Sequence, residues 1–266
     1  MAVRLVVVGG GNMGEALVAG LIRSRWATAR QLAVVEKLAA RRAALDGAHP
    51  GLAVLAEVPR AGAADALIAV KPADVEEACS ALAAAGVRRV LSIAAGVTIA
   101  QLENWLGGDV SVVRAMPNTP ALVGAGAAAI APGSSATDAD LDWAEGVLGA
   151  VGTVVRVPEK LLDAVTGLSG SGPAYVFLVA EAMVEAGVLV GLPRDVATAL
   201  TVQTLVGSAQ LLAGSSEGPT ALRAAVTSPG GTTAAGLQAL ESAAVRAAFL
   251  QAVAAATERS RQLGAG

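Results

Sequence analysis

Apolar residues in the first half of the chain come in short, β-branched runs. They fall at 4–9 (RLVVVG), 31–36 (QLAVVE), 66–70 (ALIAV), 89–95 (RVLSIAA) and 110–114 (VSVVR), with two further strands expected at 126–131 and 152–157. Helical patterns such as 12–25 and 73–85 lie between several of them. Near-continuous apolar strands alternating with helices predict a parallel sheet covered on both faces. After Pro158 the pattern changes, and no strand signal follows. Helical stretches there are interrupted at Gly170–Pro173, Gly191-Leu192-Pro193, Gly214–Pro219 and 227–233 (TSPGGTT). The expected boundary lies near residue 158, between an α/β domain (1–158) and an all-α domain (159–266) of about four to six helices.

At 266 residues the chain is long enough for two such domains. Apolar residues make up 54 % but aromatics only 2 %, so the core must be packed with small aliphatic side chains. A net charge of −3 with scattered basic residues leaves no footprint for nucleic acid. The single cysteine, Cys79, excludes an internal disulfide and suits a reducing cytoplasm. One histidine, His49, and one cysteine cannot build a thiolate–imidazole metal site, and no metal is expected. His49 sits in "GAHPG" and reads as a surface loop residue. Directly after Met1-Ala2 the chain is strand-forming, with no cleavable signal pattern. The uncharged stretch Val196 to Ser216 is long enough to cross a bilayer. Its Thr198, Thr201, Gln203, Thr204, Ser208 and Gln210 favour a buried helix at a subunit contact, and a soluble protein is expected.

"VVVGGGNMGEAL" at 6–17 follows a strand and opens a helix, and it matches G-x-G-x-x-G through Gly9, Gly11 and Gly14. Gly9 permits a tight turn, Gly11 lets backbone approach a pyrophosphate, and Gly14 allows close packing of helix on strand. The helix N-terminus then faces the negative charge. Val8, Gly10, Asn12 and Met13 complete this cofactor-binding stretch. The second strand ends in Glu36, where a carboxylate could bond ribose hydroxyls and repel a 2′-phosphate. Lys37, Arg41 and Arg42 could instead attract that phosphate, so NADPH or NADH remains open. "AVKP" (Ala69, Val70, Lys71, Pro72) and "SIAAG" (with Ile93, Ala94, Ala95) end later strands at the sheet's carboxyl edge, where cofactor crevices form. "RAMPNTP" at 114–120 supplies Asn118, a cofactor ligand or an Asx turn.

Together with "GLSGSGPAYVF" at 167–177 and "TSPGGTT", these motifs in this order resemble the pyrroline-5-carboxylate reductase family over essentially the whole chain. The resemblance implies a Rossmann-type dinucleotide-binding domain followed by an all-α dimerisation domain. It implies reduction of 1-pyrroline-5-carboxylate to L-proline by NADPH or NADH in the cytoplasm, without membrane or nucleic acid. Members form an intertwined homodimer, often assembled further into a decamer. The family implies that Thr233 meets the substrate nitrogen and that Gly231, Thr232 and Thr233 hold its carboxylate by their backbone. Glu159 matches a position near the substrate, or else is an acid complementing a helix N-terminus. Ser171 is expected to line the cleft. Ala56 stands where some members carry an adenosine-contacting Asn, and Ala225 where some carry a substrate-side Asn. The chemistry needs no histidine, metal or covalent nucleophile, only orientation, an anion site and a partner for the nitrogen. Two rivals are a β-hydroxyacid dehydrogenase, whose catalytic lysine is replaced here by Val176, and a non-catalytic dinucleotide sensor.

Overall fold

A computed structural model describes residues 3–59, 65–108 and 110–264. Met1 and Ala2, on which the reading of the N-terminus touches, lie outside the described residues. The chain divides into two compact units, Met1–Ser171 with Ala254–Gly266, and Gly172–Val253.

In the first unit, strands β1 (Leu5–Val8), β2 (Leu32–Val35), β3 (Ala53–Leu55), β4 (Asp65–Ile68), β5 (Arg89–Ser92), β6 (Ser111–Met116), β7 (Gly126–Pro132) and β8 (Gly152–Arg156) form one sheet. Their spatial order is β3-β2-β1-β4-β5-β6-β7-β8. Neighbours run parallel except β6 and β7, which are antiparallel. The segment 117–125 between them is too short for a crossover, and only an antiparallel return fits that length. The expected all-parallel sheet therefore carries one reversed junction. The short edge strand β3 had no recognisable signal, because three residues cannot display a period.

Burial on both faces explains the unbroken apolar runs. Leu5, Val7, Leu32, Val34, Leu67 and Leu91 enter one core with Leu17, Val18 and Leu21 of helix α1 (Asn12–Arg23). Leu45 of α2 (Ala39–Ala48) and Leu141, Ala144 and Leu148 of α5 (Asp138–Leu148) join them. The alternate residues Val6, Val8, Ala33, Ala66, Ile68 and Val90 enter the other. That face is covered by α3 (Val75–Ala84) and α4 (Ile99–Leu106) through Val75, Cys79, Leu82 and Leu102. The period of two in strand side chains thus serves two cores at once. The four-residue helix α6 (Leu162–Val165) belongs to this unit and buries Leu162 in the second core. A π-helical turn, Thr166–Gly170, follows it. The returning end of α11 (Val245–Gly264) is tied here by Ser260 Oγ, which donates to Asp163 Oδ1 at 2.7 Å.

The second unit holds α7 (Gly172–Leu189), α8 (Arg194–Gly214), α9 (Pro219–Ala225), α10 (Thr232–Ser242) and the start of α11. Helices α7 and α8 pack closely, so a side chain on Gly187 would stand 3.0 Å from Ala197 Cβ. Yet no residue of α7 is buried, and in α8 only Ala197 and Thr201 are. Phe177 is 68 % exposed and Leu189 86 %. Segments Glu159–Leu189 and Arg194–Gly214 are long and apolar enough to cross a membrane by length and composition. A unit this apolar with so little interior lacks a core of its own within one chain.

Candidate functional site

Strand order reverses around β1, since β2 and β4 flank it, and the crevice at the carboxyl ends of such strands is where ligands bind in open α/β sheets. A cleft of about 440 Å³ lies there. Its lining unites Val8, Gly9, Gly11, Glu36, Ala69, Val70 and Lys71 from the residues expected to bind a cofactor.

Each glycine of the loop has a distinct cause. Gly9 has φ +108°, and a Cβ there would lie 2.6 Å from the Ala69 carbonyl oxygen, so only glycine fits the turn. On Gly14 a Cβ would fall 2.0 Å from the Gly9 oxygen, so α1 could not approach the turn. Gly11, by contrast, has open space where its Cβ would be. It is the N-cap of α1 and offers no side-chain hydrogen bond, so the first-turn N–H groups of Asn12, Met13 and Gly14 have no intrahelical acceptor. Gly11 and Asn12 are exposed. This bare, positively polarised helix start beside a glycine floor fits a pyrophosphate.

Glu36 reaches back to the loop. Its Oε2 accepts from Gly10 N at 3.1 Å and its Oε1 from Leu38 N at 2.9 Å. Lys37 Nζ crosses to Glu77 Oε2 at 2.6 Å and to Asp74 Oδ1 at 3.5 Å; the hydrogen bond it donates to Glu77 leads in holding its pKa above the ordinary lysine value. Arg41 Nε donates to the Gly10 oxygen at 2.7 Å and its guanidinium also pairs with Glu15. His49 closes α2 instead of lying in an open loop; its side chain is 15 % exposed, with Nε2 3.4 Å from Glu15 Oε1.

Several lining residues carry no sequence signal of their own, Ala56 being located only by the family resemblance. Ala56, Glu57 and Val58 follow the unrecognised β3, and Asp74, Glu77, Ala78 and Ala81 come from α3 and the turn before it. Recognising β3 would have placed the first group at the carboxyl edge.

Other expected residues lie outside this cleft. Pro72 opens a short 3₁₀ turn after Lys71. Of Ile93, Ala94 and Ala95, Ala94 is buried and Ala95 exposed. The amide of Asn118 is engaged at both ends, with Nδ2 donating to the Ser169 oxygen at 3.0 Å and Oδ1 accepting from Ala127 N at 2.8 Å. It ties the loop after β6 to β7 and to the π-helical turn, whose Ser171 N donates to the Thr166 oxygen at 2.8 Å. Glu159 Oε1 accepts from Arg114 Nη1 at 2.8 Å and from Ile99 N, the first amide of α4, at 2.7 Å.

In the second unit, "TSPGGTT" separates α9 from α10. Gly230 has φ +67°, and a Cβ on Gly231 would fall 2.3 Å from Ser228 Oγ. Gly231 N donates to the Ser228 oxygen at 3.1 Å, while Gly231 caps α10 without a side-chain bond. Thr232 and Thr233 are exposed in the first turn.

Residues 159–263 match the family profile described as pyrroline-5-carboxylate reductase dimerisation, and residues 4–96 match one described as NADP oxidoreductase coenzyme F420-dependent. The pyrroline-5-carboxylate reductase of a Synechocystis species is 42 % identical over 266 residues, covering 99 % of each chain. The structure of a pyrroline-5-carboxylate reductase from Coxiella burnetii superposes with a TM-score of 0.92 at 34 % identity, covering 99 % of each chain. That of Plasmodium falciparum pyrroline carboxylate reductase with NADP bound gives 0.84 at 29 % identity, covering 98 % of each.

Proposed function

The chain belongs to the pyrroline-5-carboxylate reductase family, and we infer that it reduces 1-pyrroline-5-carboxylate to L-proline with NAD(P)H, the last step of proline biosynthesis. The observation that carries the reading is that one chain combines, over the full length of its relatives, a glycine-floored cleft at the sheet's switch point with the Ser-Pro-Gly-Gly-Thr-Thr helix start.

When bound, the reduced nicotinamide supplies the hydride. The chain's own task is to hold the rest in place. Gly9 to Gly14 seat the pyrophosphate on the first turn of α1, and Glu36, Ala69, Val70 and Lys71 bound the cleft around it. We assign Pro72, Ile93–Ala95 and Asn118, which do not line this cleft, to the loops at the neighbouring strand ends, where Asn118 fastens the loop after β6. We assign the substrate carboxylate to the backbone N–H groups of Thr232 and Thr233, which have no intrahelical acceptor. Gly231 contributes by lacking a side chain, its own N–H being used. The Thr233 hydroxyl is assigned to the ring nitrogen, whose protonated form makes the C=N carbon a hydride acceptor. Ser171 is assigned to the substrate lining, and Glu159 to a supporting position behind it.

We propose residues 1–158 as the dinucleotide-binding domain and 159–266 as the substrate and dimerisation domain, with 159–171 packed on the sheet unit although the dimerisation profile begins at 159. The exposed apolar faces of α7 and α8 support a homodimer over a membrane role, with a decamer as its further assembly, in the cytoplasm. Sedimentation velocity reads the assembly; a monomer would overturn it.

The test of function is oxidation of NADH or NADPH on adding 1-pyrroline-5-carboxylate. Cofactor binding without turnover would favour a sensor. Thr233→Ala should lower kcat on the order of a hundredfold while cofactor affinity stays unchanged, as for a lost transition-state donor. Wild-type rates in that variant would remove Thr233 from the site.

A further inference from the structure

The end of β2 is built to hold one carboxylate in one place. Glu36 lines the cleft, and both of its oxygens are used: Oε2 accepts from Gly10 N and Oε1 from Leu38 N. Those bonds fix the side chain against the glycine loop and leave lone pairs for a vicinal diol. Room for it exists because residue 10 is glycine; a Cβ there would lie 3.2 Å from Glu36 Cβ and 2.5 Å from Leu45 Cδ1.

Every cation within this stretch is already engaged. Lys37 is paired with Glu77 and Asp74. Arg41 is held by the Gly10 oxygen and Glu15. Arg42 Nη1 donates to the Glu36 and Lys37 carbonyls at 2.8 and 2.7 Å. Lys71 stands at the end of β4, across β1 from β2. The cleft lining as a whole carries four carboxylates, Glu36, Glu57, Asp74 and Glu77, against the ammonium groups of Lys37 and Lys71. Away from the start of α1, that balance disfavours a further phosphate beside Glu36.

We propose that Glu36 makes this reductase select NADH over NADPH, by accepting hydrogen bonds from the adenosine ribose diol and repelling a 2′-phosphate. The proposal rests on the dinucleotide reading of the cleft and deepens it. A phosphate monoester adds about −1.5 to −2 charge. Beside a fixed carboxylate in a partly solvated cleft, that is worth about tenfold or more in affinity.

Titration calorimetry of the unliganded protein with NAD⁺ and NADP⁺ tests this apart from turnover. NAD⁺ should bind at least about tenfold more tightly, and the kcat/KM ratio of NADH to NADPH should follow. Glu36→Gln should bring the two affinities to within about threefold by strengthening NADP⁺ and weakening NAD⁺. Glu77→Gln, at an exposed position, should release Lys37 and improve NADP⁺ relative to NAD⁺ even if the Glu36 variant does not fold. NADP⁺ binding as tightly as NAD⁺ in the wild type, or a ratio unmoved by Glu36→Gln, overturns the proposal. A chain that binds neither dinucleotide overturns the reading of the cleft itself.

Discussion

Replacing Glu159 with alanine should cost stability before it costs affinity for substrate. Its Oε1 holds two donors, the guanidinium of Arg114 and the first amide of α4, at 2.8 and 2.7 Å. Arg114 is 11 % exposed, so truncation leaves a nearly buried cation without its carboxylate. Hydrogen bonds to charged groups contribute about 1.5–3 kcal/mol each. The Glu159 side chain is 34 % exposed, however, and solvent screens its share. A net loss of about 2–3 kcal/mol follows, and at roughly 2–4 °C per kcal/mol for a chain of this size the melting temperature should fall by about 4–12 °C. Glu159→Gln keeps an acceptor for both donors but not the charge opposite Arg114, and should recover part of that loss. Circular dichroism melts and steady-state kinetics on both variants make the test. A melting temperature within about 1 °C of wild type, together with a KM for 1-pyrroline-5-carboxylate raised tenfold or more in both variants, would refute this reasoning and make Glu159 a substrate contact.

Gly11→Ser should stabilise the fold by about 0.5–1 kcal/mol, because the position has ordinary φ and free space and serine caps helices. The same variant should weaken dinucleotide binding at least about tenfold by standing where the pyrophosphate approaches; undiminished affinity would contradict that placement. Burial pushes the Cys79 thiol up from 9.0 to about 11, so it should resist alkylation at pH 8 in the native protein and react only after denaturation. Because the unfolded chain ionises first, stability should fall as pH rises from about 9 towards 11, with a steeper slope than in Cys79→Ala, as paired urea melts would show.

What could be read from the chain follows the range of the forces involved. Strands β1, β2, β4, β5 and β6 announce themselves because a two-faced core demands an unbroken apolar run, a local signal. The glycine loop is equally local, since Gly9 and Gly14 answer to atoms a few residues away or on the adjacent strand. Asn118 is different. Its partners Ser169 and Ala127 are set by tertiary folding, and nothing in "RAMPNTP" distinguishes that latch from an Asx turn or a ligand contact. Glu159 poses the same problem, because Arg114 and Ile99 lie 45 and 60 residues away. For a third reason, the cleft wall after β3 shows no signal beyond the resemblance at Ala56. It depends on β3, which is too short to show a pattern, and on a lysine–carboxylate bridge between separate elements.

Two helix starts, those of α1 and α10, share a form suited to an arriving anion. Helices α4 and α5 open on threonines, Thr98 and Thr137, each in a capping box with a residue three positions on, Gln101 and Asp140. There the side chains occupy the donors that a helix start leaves open. Helices α1 and α10 open on glycines instead, Gly11 and Gly231, both extended and both without a side-chain bond. Each follows a left-handed glycine, Gly9 or Gly230, that turns the chain into the helix. Helix α9 also follows a glycine, but Pro219 in its first turn removes one of the open donors. A bare start forgoes a few tenths of a kcal/mol relative to a threonine cap. The starts of α2, α3 and α8 lack a side-chain cap bond as well, on Leu38, Asp74 and Pro193, so what marks α1 and α10 is a glycine cap with room for an anion, and the two anions this reaction requires are a pyrophosphate and a carboxylate. On the proposed assignment, a chain with one histidine and one cysteine catalyses hydride transfer with backbone amides at two glycine-capped helix starts in place of the side chains used elsewhere.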